Sequence, residues 1–132
     1  ALLIGADLIK PKALLEAAYD DALGVTAAFN LNLLRHLNHL LGADFDVRGW
    51  RHVARFDEAA SRIEMHLRTR DAVTVRWRDG ERRFASGEHI HTENSYKWSG
   101  DGFAALLRQA GWRDVRVWTD AQHWFGVFVA SA

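Results

Sequence analysis

The 132-residue sequence is long enough for one domain, and 48% of its residues are apolar, which supports a buried core and argues against a disordered chain. Its 17 basic and 17 acidic side chains cancel, removing the electrostatic footprint of a phosphate-backbone binder. The absence of cysteine excludes a disulfide framework, a thiolate zinc site and a cysteine nucleophile, and no apolar run approaches the roughly 20 residues of a membrane-spanning helix. We therefore expect a cytoplasmic, monomeric protein whose partner is a small molecule, not nucleic acid or membrane.

The chain opens on an apolar run, ALLIGADLIKP, with no polar leader, and its one methionine is Met65. It reads as the downstream part of a longer polypeptide. Leu2 to Ile4, closed by Gly5 and Asp7, predicts a short strand buried on both faces, of the kind found in a parallel sheet. Pro11 then suits the first turn of a helix carrying Leu14, Leu15, Ala18 and Ala22, with Gly24 as its stop. Thr26 is placed to cap a second helix with an apolar stripe of Phe29, Leu33, Leu34, Leu37, Leu40 and Leu41, ended by Gly42.

Residues 44–60 read as irregular, anchored by Trp50 and Phe56. From Arg62 the period changes to two: Ile63, Met65 and Leu67 alternate with Glu64, His66 and Arg68, predicting a half-buried strand. Val73, Val75 and Trp77 repeat the pattern, and Asp79-Gly80 predicts a tight hairpin turn leading into RRFAS. The segment IHTENSYKW follows as another strand. Ser99 is placed to cap a helix over about 101–110, stopped by Gly111, and two apolar strands close the chain near 115–118 and 124–129.

On a strand, His91, Glu93, Ser95 and Lys97 share one face and Thr92, Asn94 and Tyr96 the other. That polar face suits plain surface, a metal site or a pocket wall. His89, His91 and Glu93 offer imidazole and carboxylate ligands for a metal-binding β-domain, although the spacing supplies no clear further ligand. His36 and His39 read as the polar margin of an amphipathic helix. The six tryptophans read as core and seams between layers. There is no Gly-x-Ser-x-Gly nucleophile elbow and no Gly-rich phosphate cradle.

The stretches LLIGADLIKPKALLEAAYDDALGVTAAFNLNLL, RIEMHLRT and IHTENSYKW, in this order, resemble the S-adenosylmethionine-dependent histidine-specific N-methyltransferases of ergothioneine biosynthesis. The resemblance implies an α/β enzyme with a Rossmann-like methyltransferase sheet and an inserted antiparallel substrate-binding subdomain. By it, residues 1–42 and 99–132 belong to the C-terminal half of the core and 43–98 to the insertion, an arrangement that is α+β as an isolated fragment. The Gly-rich half that holds S-adenosylmethionine lies upstream.

The resemblance also implies that Tyr19 binds the substrate carboxylate, that Met65 lines the imidazole pocket, and that Glu93 and Ser95 recognise the ring. Reading an imidazole requires partners for two ring nitrogens; Glu93 can accept from one N–H while the Ser95 hydroxyl serves the other nitrogen. These are binding residues, and no catalytic base is assigned in the chain. A non-catalytic amino-acid-binding module and a metal-binding domain using His89, His91 and Glu93 stand as the competing expectations.

Overall fold

The computed structural model describes all 132 residues as an α+β chain. Its strands are β1 (Leu2–Asp7), β2 (Trp50–Asp57), β3 (Arg62–Thr69), β4 (Val73–Trp77), β5 (Gly80–Phe84), β6 (His89–Tyr96), β7 (Arg113–Thr119) and β8 (Phe125–Ser131). The helices are α1 (Lys12–Tyr19), α2 (Val25–Leu41) and α3 (Gly100–Gln109), with one 3-10 turn at Val47–Gly49. The chain forms two compact units, one of residues 1–12, 57–62 and 95–132 and one of residues 13–56 and 63–94.

In the first unit the sheet order is β1-β8-β7. The last strand sits in the middle and pairs antiparallel with both neighbours, Ile4 opposite Phe128 on one side and Val117 opposite Phe128 on the other. One face carries Leu2, Ile4, Ala6 and Phe128 against Phe103, Ala104 and Leu107 of α3, which gives this unit its core. The expectation for β1 is corrected here: its ladder partner is antiparallel β8, and Leu3 is 72% exposed, so the strand is not covered on both faces. Alternation was hidden because both faces of β1 carry apolar side chains. Ser99 caps α3 as expected, its Oγ accepting from Gly102 N–H at 3.0 Å.

In the second unit the sheet order is β2-β3-β6, beside the β4-β5 hairpin. Leu34 of α2 meets Trp50, Leu67, Val75 and Phe84 in its main core. Residues 50–57, expected to be irregular, form a strand; WRHVARFD puts Val53 among the charges Arg51, Arg55 and Asp57 on one face and His52 among Trp50, Ala54 and Phe56 on the other, which blurs the two-residue period. Central β3 is buried on both faces, not half-buried: Glu64 is 3% and His66 8% exposed. The hairpin turn consists of Arg78 and Asp79, since Trp77 already pairs with Gly80.

The inward face of α2 differs from the expected stripe. Asn30 and Leu34 are buried, while Phe29 is 69% exposed and Leu40 and Leu41 are also exposed. Polar contacts set this rotation: the Asn30 amide donates to the His66 carbonyl at 3.1 Å, and Asn38 brackets Phe45 through both its donor and its acceptor. Leucine counting cannot find a face chosen by two asparagines.

The start of α2 also differs. Gly24, in the left-handed conformation (φ 70°), is the residue before the helix rather than the stop of α1, which already ends at Tyr19. Thr26 lies within the helix, and the capping acceptor is the Asp21 carboxylate, taking the Val25 and Thr26 N–H groups at 3.0 and 2.9 Å. These donors, the Thr26 N–H foremost, lower the Asp21 pKa from 3.8 to about 2. The folded value lies below the unfolded one, so the stabilisation is complete above about pH 4 and fades as pH falls through about 2. Asp21→Asn should therefore melt below the wild type near neutral pH, with the gap narrowing toward pH 2 in circular-dichroism melts; a pH-independent gap would contradict the carboxylate cap.

Candidate functional site

Tyr19 ends α1 and Met65 sits mid-strand on β3, and the structure brings them together. Met65 is buried beside Leu15 and Ile63, with Tyr19 and Phe56 packed against them. The backbone at Tyr19 is held by a relay that sequence reading missed. Asn30 Nδ2–H lies 2.9 Å from His52 Nδ1, and His52 Nε2 lies 2.7 Å from the Tyr19 carbonyl. A carbonyl only accepts, so His52 carries its proton on Nε2 and presents the Nδ1 lone pair to the amide. The tautomer thus follows from the two partners, and Tyr19 is pinned to β2 and α2. Asn30 and His52 are 22 residues apart, and no local motif marks the pair.

Glu93, on β6, is exposed at the rim of a cleft of about 280 Å³ lined by Phe29, Asn30, Asn32, Leu33, His36 and Thr92. The α2 side chains that the apolar stripe assigned to the core, Phe29 and Leu33, form the apolar wall of this cleft instead. Thr92 ties its floor to β3, its Oγ1 donating to the Met65 carbonyl at 2.9 Å. Tyr19 and Met65 do not line the cleft themselves; they are joined to it through the Met65 backbone.

The other face of β3 carries a separate polar cluster. Arg55 Nε and Nη2 both donate to Glu64 Oε2, at 2.9 and 2.7 Å, and His66 Nε2 lies 3.1 Å from the same oxygen. His66 stacks on His91, with ring centroids 4.5 Å apart, and meets His89 edge-on at 5.4 Å. Burial, outweighing the Glu64 hydrogen bond, lowers the His66 pKa, so the ring is neutral near pH 7 and its Nε2–H donates. Its Nδ1 is buried without a partner.

The side chains whose ligand atoms converge, all within 4.8 Å of one another, are Glu64, His66 and His91, not the expected set of His89, His91 and Glu93. Arg55 already supplies the positive charge that Glu64 faces, and a cation added there would meet the guanidinium. His91 is oriented by its Nε2–H donating to the Glu93 carbonyl at 3.1 Å, which leaves the Glu93 carboxylate out of that cluster.

Ser95 belongs to the first unit. Its Oγ accepts from Lys97 Nζ at 2.9 Å, and the same ammonium, fully buried, lies 2.8 Å from Asp7 Oδ2. Lys97 had no role in the sequence reading, where strand parity only set it on the polar face. Burial raises the Asp7 pKa, but hydrogen bonds and charges from Lys10 and Lys97 outweigh it and hold the carboxyl below its usual value. Lys97 Nζ thus points a proton at Ser95 Oγ, whose oxygen accepts it. An alternating strand gives no sign that the fourth polar residue on its face is a buried cation.

Comparison with known proteins places this geometry in context. Over 132 aligned residues the chain is 46% identical to a histidine N-alpha-methyltransferase of Mycolicibacterium smegmatis, covering 98% of this chain and 41% of the relative. The corresponding protein of Mycobacterium tuberculosis is 45% identical over 133 residues, covering 99% and 41% respectively. Ergothioneine biosynthesis protein 1 of Neurospora crassa is 33% identical over 122 residues, 89% of this chain and 13% of the relative. The chain therefore spans about two fifths of the length of the bacterial relatives it matches. Residues 1–132 match throughout the family described as histidine-specific methyltransferase, SAM-dependent, and the chain belongs to that family.

Proposed function

We propose that these residues form the substrate-gripping region of an enzyme that transfers methyl groups from S-adenosylmethionine to the α-amino group of histidine. The observation that carries this reading is the Glu93 carboxylate at the rim of the α2–β6 cleft, within the HTENS stretch of a chain that belongs to this family. Glu93 accepts from one ring N–H of the substrate. By the resemblance, Ser95, whose Oγ accepts from Lys97 Nζ, serves the other ring nitrogen. Met65, buried and joined to the cleft through its backbone, and Tyr19, packed on it, are assigned the roles the resemblance gives them, backing the imidazole pocket and holding the carboxylate. Together they fix the amino acid by its two ends and leave the amine as the reacting group.

The β1-β8-β7 sheet supports the core assignment. Because β1 and β7 both run antiparallel to β8, they are parallel to each other, as at the edge of a mixed α/β sheet. We assign this sheet and α3 to the C-terminal edge of a Rossmann-like core, and β2 to β6 to the inserted substrate-binding subdomain. The cofactor of this family is S-adenosylmethionine, and the resemblance puts the Gly-rich half that holds it upstream of these residues, which accordingly grip the substrate. When bound, S-adenosylmethionine supplies the methyl group.

The test is selectivity. Calorimetric titration should show histidine binding at least about tenfold more tightly than phenylalanine, which matches the ring in shape but leaves the carboxylate without its donor. Equal affinities would refute imidazole recognition, and labelled methyl appearing on phenylalanine as readily as on histidine would refute the assigned substrate.

A further inference from the structure

The second unit holds another cleft, of about 290 Å³, lined by Arg51, Arg68, Thr69, Arg70, Ser86 and Gly87. It shares no residue with the Glu93 cleft. Three arginines line it and no acidic residue does. Arg48, Arg55, Arg76 and Arg82 each pair with an acidic side chain; Arg51, Arg68 and Arg70, like several other arginines of the chain, do not, and these three share one cleft. Two acidic residues adjoin the lining in sequence, Asp71 after Arg70 and Glu88 after Gly87; neither lines the cleft, and the Glu88 carboxylate accepts from Arg82 and from the Ala85 N–H.

The walls of this cleft are built, not fortuitously open. Buried Thr69 donates through Oγ1 to the Ala85 carbonyl at 2.7 Å, and Gly87 N–H returns to the Thr69 carbonyl at 3.2 Å, so the β5–β6 turn is locked onto the end of β3. Gly87 adopts φ 76°, and a Cβ there would lie 3.1 Å from Arg68 Nη2 and 3.4 Å from its Nε. The glycine thus gives the Arg68 guanidinium its place against the turn. Ser86 Oγ, donating to the Arg70 carbonyl at 3.1 Å, keeps lone pairs and brings the strand end close. Neighbouring His89 feels this charge: burial first, then the positive fields of His66, Arg68, Arg55 and Arg51, lower its pKa.

We propose that the Arg51–Arg68–Arg70 cleft binds a phosphate group. Three arginines lining one cleft without an acidic residue match a tetrahedral dianion with several acceptor oxygens better than a planar carboxylate, which one fork satisfies. The low cost of desolvating arginine and the concave wall favour exchange of water for the anion. The chemistry is shared by free phosphate and by a small phosphate ester, and the experiment separates them.

Inorganic phosphate and phenyl phosphate are titrated separately into the full chain by calorimetry at constant ionic strength, above neutral pH, with chloride as the background anion. Saturable one-to-one binding is expected for at least one of them, the tighter ligand identifying the source. Arg68→Gln and the more exposed Arg51→Gln should each weaken it by about tenfold or more, while Arg113→Gln, on β7, leaves it unchanged. Circular dichroism confirms that each variant is folded, and Arg51→Gln keeps the test open should Arg68→Gln unfold. Absence of saturation with both ligands, or equal losses in Arg51→Gln and Arg113→Gln, would overturn the proposal.

Discussion

Replacing Asp7 with asparagine is expected to destabilise the protein by about 3–5 kcal/mol, more than replacing Lys97 with methionine. The Lys97 side chain is fully buried, and asparagine would put a neutral amide where its ammonium faces a carboxylate. Loss of the countercharge beside a buried cation is among the costlier single changes a fold can suffer. The reverse substitution is milder. Methionine fills the volume of the lysine stem, and Asp7, 31% exposed at its side chain, keeps Lys10 and reaches water, so a loss of about 1–3 kcal/mol is expected.

The double variant Asp7→Asn/Lys97→Met removes both charges and should lie close to Lys97→Met alone, well above the sum of the single losses. Urea midpoints with unchanged slopes provide the measurement. An Asp7→Asn variant no less stable than Lys97→Met would show that the ammonium does not depend on this carboxylate. Because Asp7 titrates below its usual range when folded, its contribution is present above the unfolded carboxyl value and is lost as pH falls through the folded one. The difference between wild type and Asp7→Asn should accordingly shrink in acid.

This ion pair also shows which parts of the molecule could be read in the sequence. Helices bounded by local chemistry were legible: Ser99 caps α3, Gly111 follows it at φ 92°, and Gly42 ends α2 at φ 62°. Strands with a strict two-residue period were legible too, as in β3, β4 and β6. Where long-range partners override local pattern, reading failed. Glu64 and His66 alternate like surface residues yet are buried, because Arg55 and the histidines of β6 cover them from strands distant in sequence. Asn30 turns α2 away from its leucine stripe for the same reason, bonding across 36 residues to His66. Met65 and Glu93 emerged from motif resemblance; Asn30, His52 and Lys97, which hold the surrounding backbone and side chains in place, carry no motif and required coordinates.

Glu93→Ala is expected to raise the dissociation constant for histidine by about 10- to 100-fold, the worth of a hydrogen bond to a charged group. Glu93→Gln should fall between, since its carbonyl still accepts but carries no charge. The position suits the test because Glu93 is exposed, so stability should move by less than about 0.5 kcal/mol; Met65→Ala, by contrast, would open a cavity in the Leu15–Ile63 cluster at a cost of about 2–5 kcal/mol and confuse binding with folding. A histidine methylated on the ring nitrogen that faces Glu93 loses the N–H that the carboxylate accepts. Titrating each of the two ring-methylated histidines against wild type and Glu93→Ala closes a double cycle. For one of them, methylation and mutation should each weaken binding by a similar factor, and their combination should cost no more than either alone, because both remove the same hydrogen bond. Independent losses for both isomers would mean that Glu93 acts on the substrate from elsewhere than the ring nitrogen, and the assignment of the imidazole reader would pass to another residue of the cleft.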